Sequence, residues 1–398
     1  MRERRRHLLC ECVRAGPRTH GFLPRALAAI VFAPDGARRR VVRAAGLPRR
    51  TNLSTMTARP IEYPFIPYPA PGELRQIVEG IFWARIPLPF RLNHVNVWIL
   101  EDGDGWAIID CGIDNAPTRE LWTRILNGFM GGRPLRRVIA THGHTDHVGI
   151  VKFLSAKTDP QFEVTLTEWM AARDRYAAHN DNNLTILRDF LHRHGGEPET
   201  ARTFDKERQR VQSYLGPQPE AFVRLIGGRE LKLAGRTWFL ITGGGHADEH
   251  ACFYCREDRI LIAGDQILPR ISPVIAVAPT MPEADPLLHY FASLAELRTL
   301  PDEILVLPGH GEPFYGLRTR IDQLTDHHHE RLGNLHQFIR RPSTAVAATE
   351  LLFPKAIEAG QGRLALGETI AHLHRLVATE RADSKTSSDG KVRFVGRF

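Results

Sequence analysis

Residues Thr141-His142-Gly143-His144-Thr145-Asp146-His147 crowd three histidines and one aspartate into six consecutive positions. The cluster follows the apolar run Val138-Ile139-Ala140. Such a run reads as a buried strand, and a strand that ends in histidines delivers them to the rim of a sheet. Three further stations stand downstream in the same setting. Gly243-Gly244-Gly245-His246 follows Thr237-Trp238-Phe239-Leu240-Ile241, Gly264-Asp265 follows Ile260-Leu261-Ile262-Ala263, and Pro308-Gly309-His310-Gly311 follows Ile304-Leu305-Val306-Leu307. Each lies beside glycine, which permits the tight turns that aim a side chain into a cleft. One histidine after a strand is an ordinary residue; four stations in one chain are much harder to explain that way.

These residue types suit metal chemistry. Neutral imidazole is a zinc ligand, and a mixed His/Asp set keeps the ion strongly Lewis-acidic. Zinc lowers the pKa of bound water to about 7, so a nucleophile exists at neutral pH without serine or cysteine. Two ions roughly 3.5–4 Å apart can share one hydroxide and stabilise oxyanion and leaving group. Seven ligand side chains exceed what one tetrahedral site uses. No Gly-x-Ser-x-Gly elbow and no Walker loop offers a competing chemistry.

The pattern His142-x-His144-x-Asp146-His147, then His246, Asp265 and His310, resembles the metallo-β-lactamase superfamily, and within it the glyoxalase-II-like hydrolases. Asp110-Cys111-Gly112 stands where that family usually has Asp-Thr-Gly. The resemblance runs from about Gly80 to Tyr315 and implies a four-layer αβ/βα sandwich. It implies two Zn2+ ions, with Mn2+ or Fe2+ tolerated by the same donors. His142, His144 and His246 would hold the first, Asp146, His147 and His310 the second, and Asp265 would bridge them. Asp146 gains a catalytic task, orienting the hydroxide. Asp265 argues against antibiotic hydrolysis as the main activity. The implied reaction is attack by a metal-bound hydroxide on a small ester, thioester or lactone. The alternative is a metal-dependent single-strand endoribonuclease.

The elements that must position these residues are legible in outline. Gly80-to-Ile86, His94-to-Glu101 and Trp106-to-Asp110 read as strands, with a hairpin signal at Asp102-Gly103-Asp104-Gly105. Asn115-to-Met130 reads as a helix with Leu121, Ile125 and Phe129 on one face, and a second helix begins at Val148. The second half repeats the pattern, with strands near 229–233, 237–242, 251–255, 260–263 and 304–307 and a helix near 287–299. Cys252 and Cys255 flank Phe253-Tyr254 in an alternating run, which places their thiols on opposite faces of a strand. Residues 165–225 form a helical insert. Its stripe Leu184, Leu187, Phe190 and Leu191 reads as a core face or as a lid over the metal cleft.

A C-terminal module is expected from about 318 to 398: a long polar helix, a helix capped by Ser343, a helix opening at Leu366, and a hairpin at Asp389-Gly390. That order resembles a winged-helix domain attached to a group of these hydrolases. His327-His328-His329 point in different directions on a helix, so they do not form one three-fold site. The recognition-helix position offers only His372, His374 and Arg375. Packing, dimerisation into a homodimer, or completion of a substrate pocket is therefore preferred to nucleic-acid contact.

Charge and composition set limits. The 398-residue chain carries a net charge of +8, yet residues 1–55 alone hold 13 Arg against 3 acidic residues. From Met56 onward the balance is 40 Lys and Arg against 42 Asp and Glu. The leader, residues 1–55, lacks a core pattern and is read as disordered or as upstream sequence ahead of a start at Met56, with a functional leader or a targeting segment as the alternatives; a catalytic domain is expected over 56–317. No apolar stretch approaches the ~20 residues that cross a bilayer. Five cysteines without a disulfide framework fit a reducing, cytoplasmic setting. Finally, Arg270 in the loop Pro269-Arg270-Ile271-Ser272 is expected to grip an anionic part of a small-molecule substrate.

Overall fold

The computed structural model describes residues 59–177, 181–355 and 361–398. The expectations for residues 1–55 and for a start at Met56 lie outside them. Two sheets face one another. The first contains seven strands in chain order: β1 (Leu74–Val78), β2 (Ile81–Pro87), β3 (His94–Asp102), β4 (Gly105–Ile109), β5 (Leu135–Ile139), β6 (Gln161–Val164) and β7 (Val223–Arg224). It is antiparallel through β4 and parallel from β4 to β7. The second has the order β12-β11-β10-β9-β8, built from β8 (Glu230–Leu233), β9 (Arg236–Gly243), β10 (His250–Cys255), β11 (Ile260–Gly264) and β12 (Leu305–Pro308).

Alternation along the strands builds three apolar layers. Ile260 and Ile262 of β11 face the space between the sheets, with Trp83, Trp98, Trp238 and Phe253. Leu261 and Ala263 face outward onto Leu287 and Leu294 of α7 (Pro286–Leu297). Strands buried on both faces read as unbroken apolar runs, which is why the runs before the ligands were so clear. Cys252 and Cys255 likewise join cores on opposite faces of the sheet. On the first sheet's outer face, Trp122 of α1 (Ala116–Arg124) and Leu154 of α3 (Val151–Thr158) pack on Ile108 and Val138. The result is the expected αβ/βα sandwich.

Local differences have physical causes. The helix expected to Met130 ends as α1, capped by Asn115, which accepts from the Thr118 N–H at 2.8 Å. Its continuation is a π turn over Ile125–Phe129, which lays Phe129 against Phe82 and Trp106 at 4.9 and 5.1 Å. The next helix starts inside the ligand cluster, as α2 (Thr145–Val148), and breaks at Gly149 before α3 resumes. A Cβ at Gly149 would lie 2.4 Å from the Thr145 carbonyl oxygen and 2.7 Å from that of Tyr214, so only glycine fits.

The insert forms α4 (Leu166–Ala177), α5 (Asp181–Arg193) and α6 (Pro198–Gln212). The C-terminal segment contains α8 (Leu317–Phe338), α9 (Ala345–Leu352), α10 (Gly362–Ala378) and the hairpin β13 (Ala382–Thr386) and β14 (Val392–Gly396). Thr344, rather than Ser343, caps α9; Ser343 is held instead by backbone pairing with Phe394. Helix α10 opens four residues before the expected Leu366. Buried residues of the insert (Leu187, Phe190), the second sheet (Leu261, Val306) and the C-terminal segment (Ile370, Phe394) belong to one continuous apolar cluster. Among the described residues no helix is long and apolar enough to cross a membrane.

Candidate metal centre

The sequence-predicted stations converge on one edge of the sandwich. His142 follows β5, Asp146 and His147 lie in the short α2 with His144 at its N-cap, His246 follows β9, Asp265 follows β11 and His310 follows β12. His142 Nε2 and His144 Nδ1 are 2.9 Å apart. Asp265 Oδ2 lies 3.5 Å from His147 Nε2, 3.4 Å from His246 Nε2 and 3.2 Å from His310 Nε2. Asp146 Oδ2 lies 3.4 Å from His310 Nε2 and 3.9 Å from His147 Nε2.

The arrangement fits metal rather than hydrogen bonding. The Nε2 atoms of His147, His246 and His310, and Asp265 Oδ1, are buried without a hydrogen-bond partner among the described residues. Buried polar atoms are normally satisfied. Two donors bound to one tetrahedral ion at about 2.0–2.2 Å lie roughly 3.3–3.5 Å apart, which is the spacing seen around Asp265. The donors fall into sets that could hold ions: His142, His144 and His246; His142, His147 and Asp265; and Asp146, His147 and His310.

A further set of residues fixes these donors. Asp110 Oδ2 accepts from His147 Nδ1 at 2.8 Å, Val274 O accepts from His246 Nδ1 at 3.0 Å, and His94 O accepts from His310 Nδ1 at 2.6 Å. Each contact places the proton on Nδ1 and leaves the Nε2 lone pair facing the cluster. Glu168 accepts from the Gly143 and Glu249 N–H groups, tying the histidine loop to the start of β10. Asn96 on β3 donates to the carbonyls of Pro308 and Gly311 and accepts from Trp83 Nε1, so the first sheet sets the loop that carries His310. His250 Nε2 accepts from the Asp265 N–H at 3.1 Å, and burial holds its pKa down to about 3, so it stays a neutral acceptor. Sequence reading missed Asn96, Glu168 and His250. It saw Asp110 only as part of a motif.

The electrostatics also favour a cation. Burial and the surrounding imidazoles keep His142 and His144 far below the ordinary histidine range. Burial opposes charge on His147, but Asp110, Asp265 and Asp146 outweigh it and draw it toward protonation. His310 is pulled up against burial by Asp265 and Asp146. Burial likewise opposes the Asp265 carboxylate, and His310 and His147 overcome it. Positive charge is therefore stabilised between the carboxylates.

A cavity of about 560 Å³ opens from this cluster, with His144, Asp146, His246, Asp265 and His310 at one end. Leu187, Phe190 and Leu191 of α5 line it while also belonging to the apolar core, so one stripe is both core face and cavity wall. Arg270 does not line it. Its side chain is 55% exposed, pairs with Glu312 at 3.1 Å and stacks over Tyr63 at 4.1 Å. The expected grip on substrate by Arg270 therefore gains no support from its position. The recognition-helix residues are engaged within the chain: His372 is buried, and the half-buried His374 and Arg375 bond to Ala284 O and Asp285. Of the three consecutive histidines only His328 meets His372, at 3.2 Å, beside Glu368, whose carboxylate is paired with Arg331.

A two-sheet sandwich with helices outside and a His/Asp cluster at one edge is the frame of a metal-dependent hydrolase. The model of the metallo-beta-lactamase superfamily matches residues 91–310, and that of the metallo-beta-lactamase-like C-terminal domain matches 332–397. The chain belongs to the metallo-beta-lactamase superfamily. Among its relatives, the probable metallo-hydrolase YqjP of Bacillus subtilis is 26% identical over 77% of this chain and 95% of its own length. A beta-lactamase domain protein from Burkholderia ambifaria superposes with a TM-score of 0.78, at 35% identity, over 85% of this chain and 98% of that one. A metallo-beta-lactamase family protein from Thermus thermophilus superposes with a TM-score of 0.70, at 26% identity, over 81% of this chain and 100% of that one.

Proposed function

We propose that this metallo-hydrolase is binuclear and cleaves a small ester, thioester or lactone, as a member of the glyoxalase-II-like branch with a winged-helix-like C-terminal segment. His142, His144 and His246 would hold one ion, Asp146, His147 and His310 the other, and Asp265 both. The observation that carries this reading is Asp265 Oδ2, within 3.2–3.5 Å of Nε2 atoms from both sets. Zinc is favoured by the imidazole-rich donors, with manganese or iron as chemically tolerated substitutes. When bound, such ions activate water as a nucleophile and polarise the scissile carbonyl. The chain's own residues do the rest. Asp146, whose side chain is more exposed than that of Asp265, orients the attacking water and accepts its proton. Asp110, Val274 and His94 keep the imidazoles in one tautomer. The apolar walls of α5 and α6 exclude bulk water.

The test is metal content together with a substrate panel. Purified protein should hold close to two transition-metal ions, and Asp265→Ala should lower both occupancy and ester hydrolysis. Full activity with one ion, or in the Asp265 variant, would refute the binuclear reading. Metal-dependent cleavage of single-stranded RNA that disappears in His144→Ala would overturn the choice of substrate class.

A further inference from the structure

The cavity beyond the metal cluster has a wall that the hydrolytic chemistry does not use. Arg175 of α4, Arg208 of α6 and Arg363 of α10 all line it. Three guanidiniums on one enclosure repel one another, and each loses hydration by being there. Arg175 is engaged at Nη1, which donates to Gly143 O at 2.8 Å. Arg208 is bound along its own helix to Asp205 and Gln212. Arg363 differs: its Nε is buried without a hydrogen-bond partner among the described residues. Burial lowers its proton affinity, Glu207 opposes that, and Arg208 and Arg175 lower it further. A buried guanidinium N–H without an acceptor is costly, and an anionic ligand can supply the acceptor.

Asp174 and Asp248 also line the cavity beside Arg175, and much of the remaining wall is apolar. Ile186, Phe190, Phe204, Val277 and Leu366 present hydrocarbon to the same space. The volume of about 560 Å³ lies in the range that encloses a drug-sized molecule. A short neutral ester would fill neither the apolar length nor the cationic wall.

We propose that Arg363, with Arg175 and Arg208, is an anion-recognising site, and that the substrate is an amphiphile: a hydrolysable ester, thioester or lactone bearing an apolar body and a carboxylate or phosphate. Arg363 supplies a planar fork of N–H donors to that anion. Helix α10 thereby completes the pocket from the C-terminal segment. This assignment rests on the metal-hydrolase reading for the reaction, but the binding it requires is measurable without turnover.

The experiment is calorimetric binding of decanoate, decyl phosphate, decanol and inorganic phosphate to the purified full chain, for the parent and for Arg363→Gln. Contributions from bound metal are common to both proteins and cancel in their ratio. A charge-assisted hydrogen bond of about 1.5–3 kcal/mol corresponds to roughly 10–100-fold in affinity. The parent should bind decanoate or decyl phosphate at least about tenfold more tightly than decanol or inorganic phosphate. Arg363→Gln should cut the ratio of anionic to neutral amphiphile affinity by about tenfold, and Arg363→Lys should restore part of it. Arg270→Gln, outside the cavity, should leave that ratio alone. Tighter binding of decyl phosphate assigns a phosphate-bearing substrate, and tighter binding of decanoate a carboxylate-bearing one. If Arg363→Gln does not fold, Arg208→Gln carries the same test. Equal binding of decanol and both anions, or an anion preference unchanged in the variants, would overturn the proposal. A failed hydrolase reading looks different: the anion preference would persist while no ester is cleaved.

Discussion

Asp110→Asn isolates the contribution of a residue that would touch no substrate and no ion. Asp110 stands just past β4 with φ 62°, a left-handed conformation that asparagine adopts as readily as aspartate. The backbone therefore has no reason to move. Asp110 Oδ1 accepts from the Thr141 N–H at 2.8 Å, while Oδ2 accepts from His147 Nδ1 at 2.8 Å and Thr141 Oγ1 at 2.9 Å. An amide offers one oxygen and one NH2 group. Whichever way it turns, either the Thr141 N–H or the His147 Nδ1–H meets another donor. A buried unmatched donor costs about 1–3 kcal/mol. Loss of the outer partner of a metal-binding histidine costs about 10–100-fold in metal affinity, or about 1.4–2.8 kcal/mol. The two ranges overlap because they describe one broken contact. Titration with zinc against a chromogenic chelator should show one ion weakened by that factor, and thermal unfolding should show the metal-free variant melting earlier. Cys111→Ser, which keeps a donor to the His147 carbonyl now met by Sγ at 3.1 Å, is the matched control. Zinc affinity within twofold of the parent, with only the melting point lowered, would show that Asp110 supports the fold and not the metal donors.

Gly309→Ala should strip metal without unfolding the chain, because the new Cβ would lie 2.2 Å from Asp265 Oδ1 and 3.0 Å from His147 Cε1. Elemental analysis beside circular dichroism checks it, and normal metal content would contradict it. Acid should destabilise the protein through the helix pair α8–α10. Burial holds His372 to about 4 and His328 to about 2, against an ordinary value of 6.5. The unfolded chain thus binds more protons below pH 6.5, so this stability is full above that pH and is lost as pH falls toward 4. For His372 the interval from 6.5 to about 4 is worth about 3 kcal/mol. Thermal unfolding measured from pH 7 to pH 4 should show the loss, and His372→Gln should reduce it by the His372 share; a parent profile already flat over that window would refute the argument.

The donors were legible because each sits at the end of a strand buried on both faces, where an unbroken apolar run meets glycine. Val138-Ile139-Ala140 before His142 and Ile304-to-Leu307 before His310 needed no long-range information. Asn96 and Glu168 did need it. Asn96 lies in a strand far from Pro308 in sequence, and nothing near it marks a loop to be held. Glu168 looked like an ordinary helical charge, yet it is buried and bonded to two backbone N–H groups on separate segments. Ser343 and Thr344 are adjacent and both able to cap, serine the better of the two, and the pairing of Ser343 with Phe394 decides for Thr344. Arg270 stands near Asp265 in sequence but outside the cavity, while Arg363 reaches the cavity from a helix nearly a hundred residues further on. The clustered histidines and aspartates lie on loops of one edge, each next to its strand in sequence, whereas the cavity wall is assembled from distant helices.

That assembly separates two kinds of inheritance in the molecule. The loops that present histidine and aspartate are locked by Asp110, Asn96 and Glu168 and tolerate little drift. Helices α5, α6 and α10 carry none of these donors, so a change at their cavity-facing positions reshapes the pocket without altering the reactive edge. The C-terminal segment is not a detachable cassette in that process. Ile370 and Phe394 share one apolar cluster with Leu261 of the second sheet and Phe190 of the insert. A chimaera that imports a foreign α10 must import the surfaces of α7 and α8 that receive it, and grafting at that boundary will select for matched pairs.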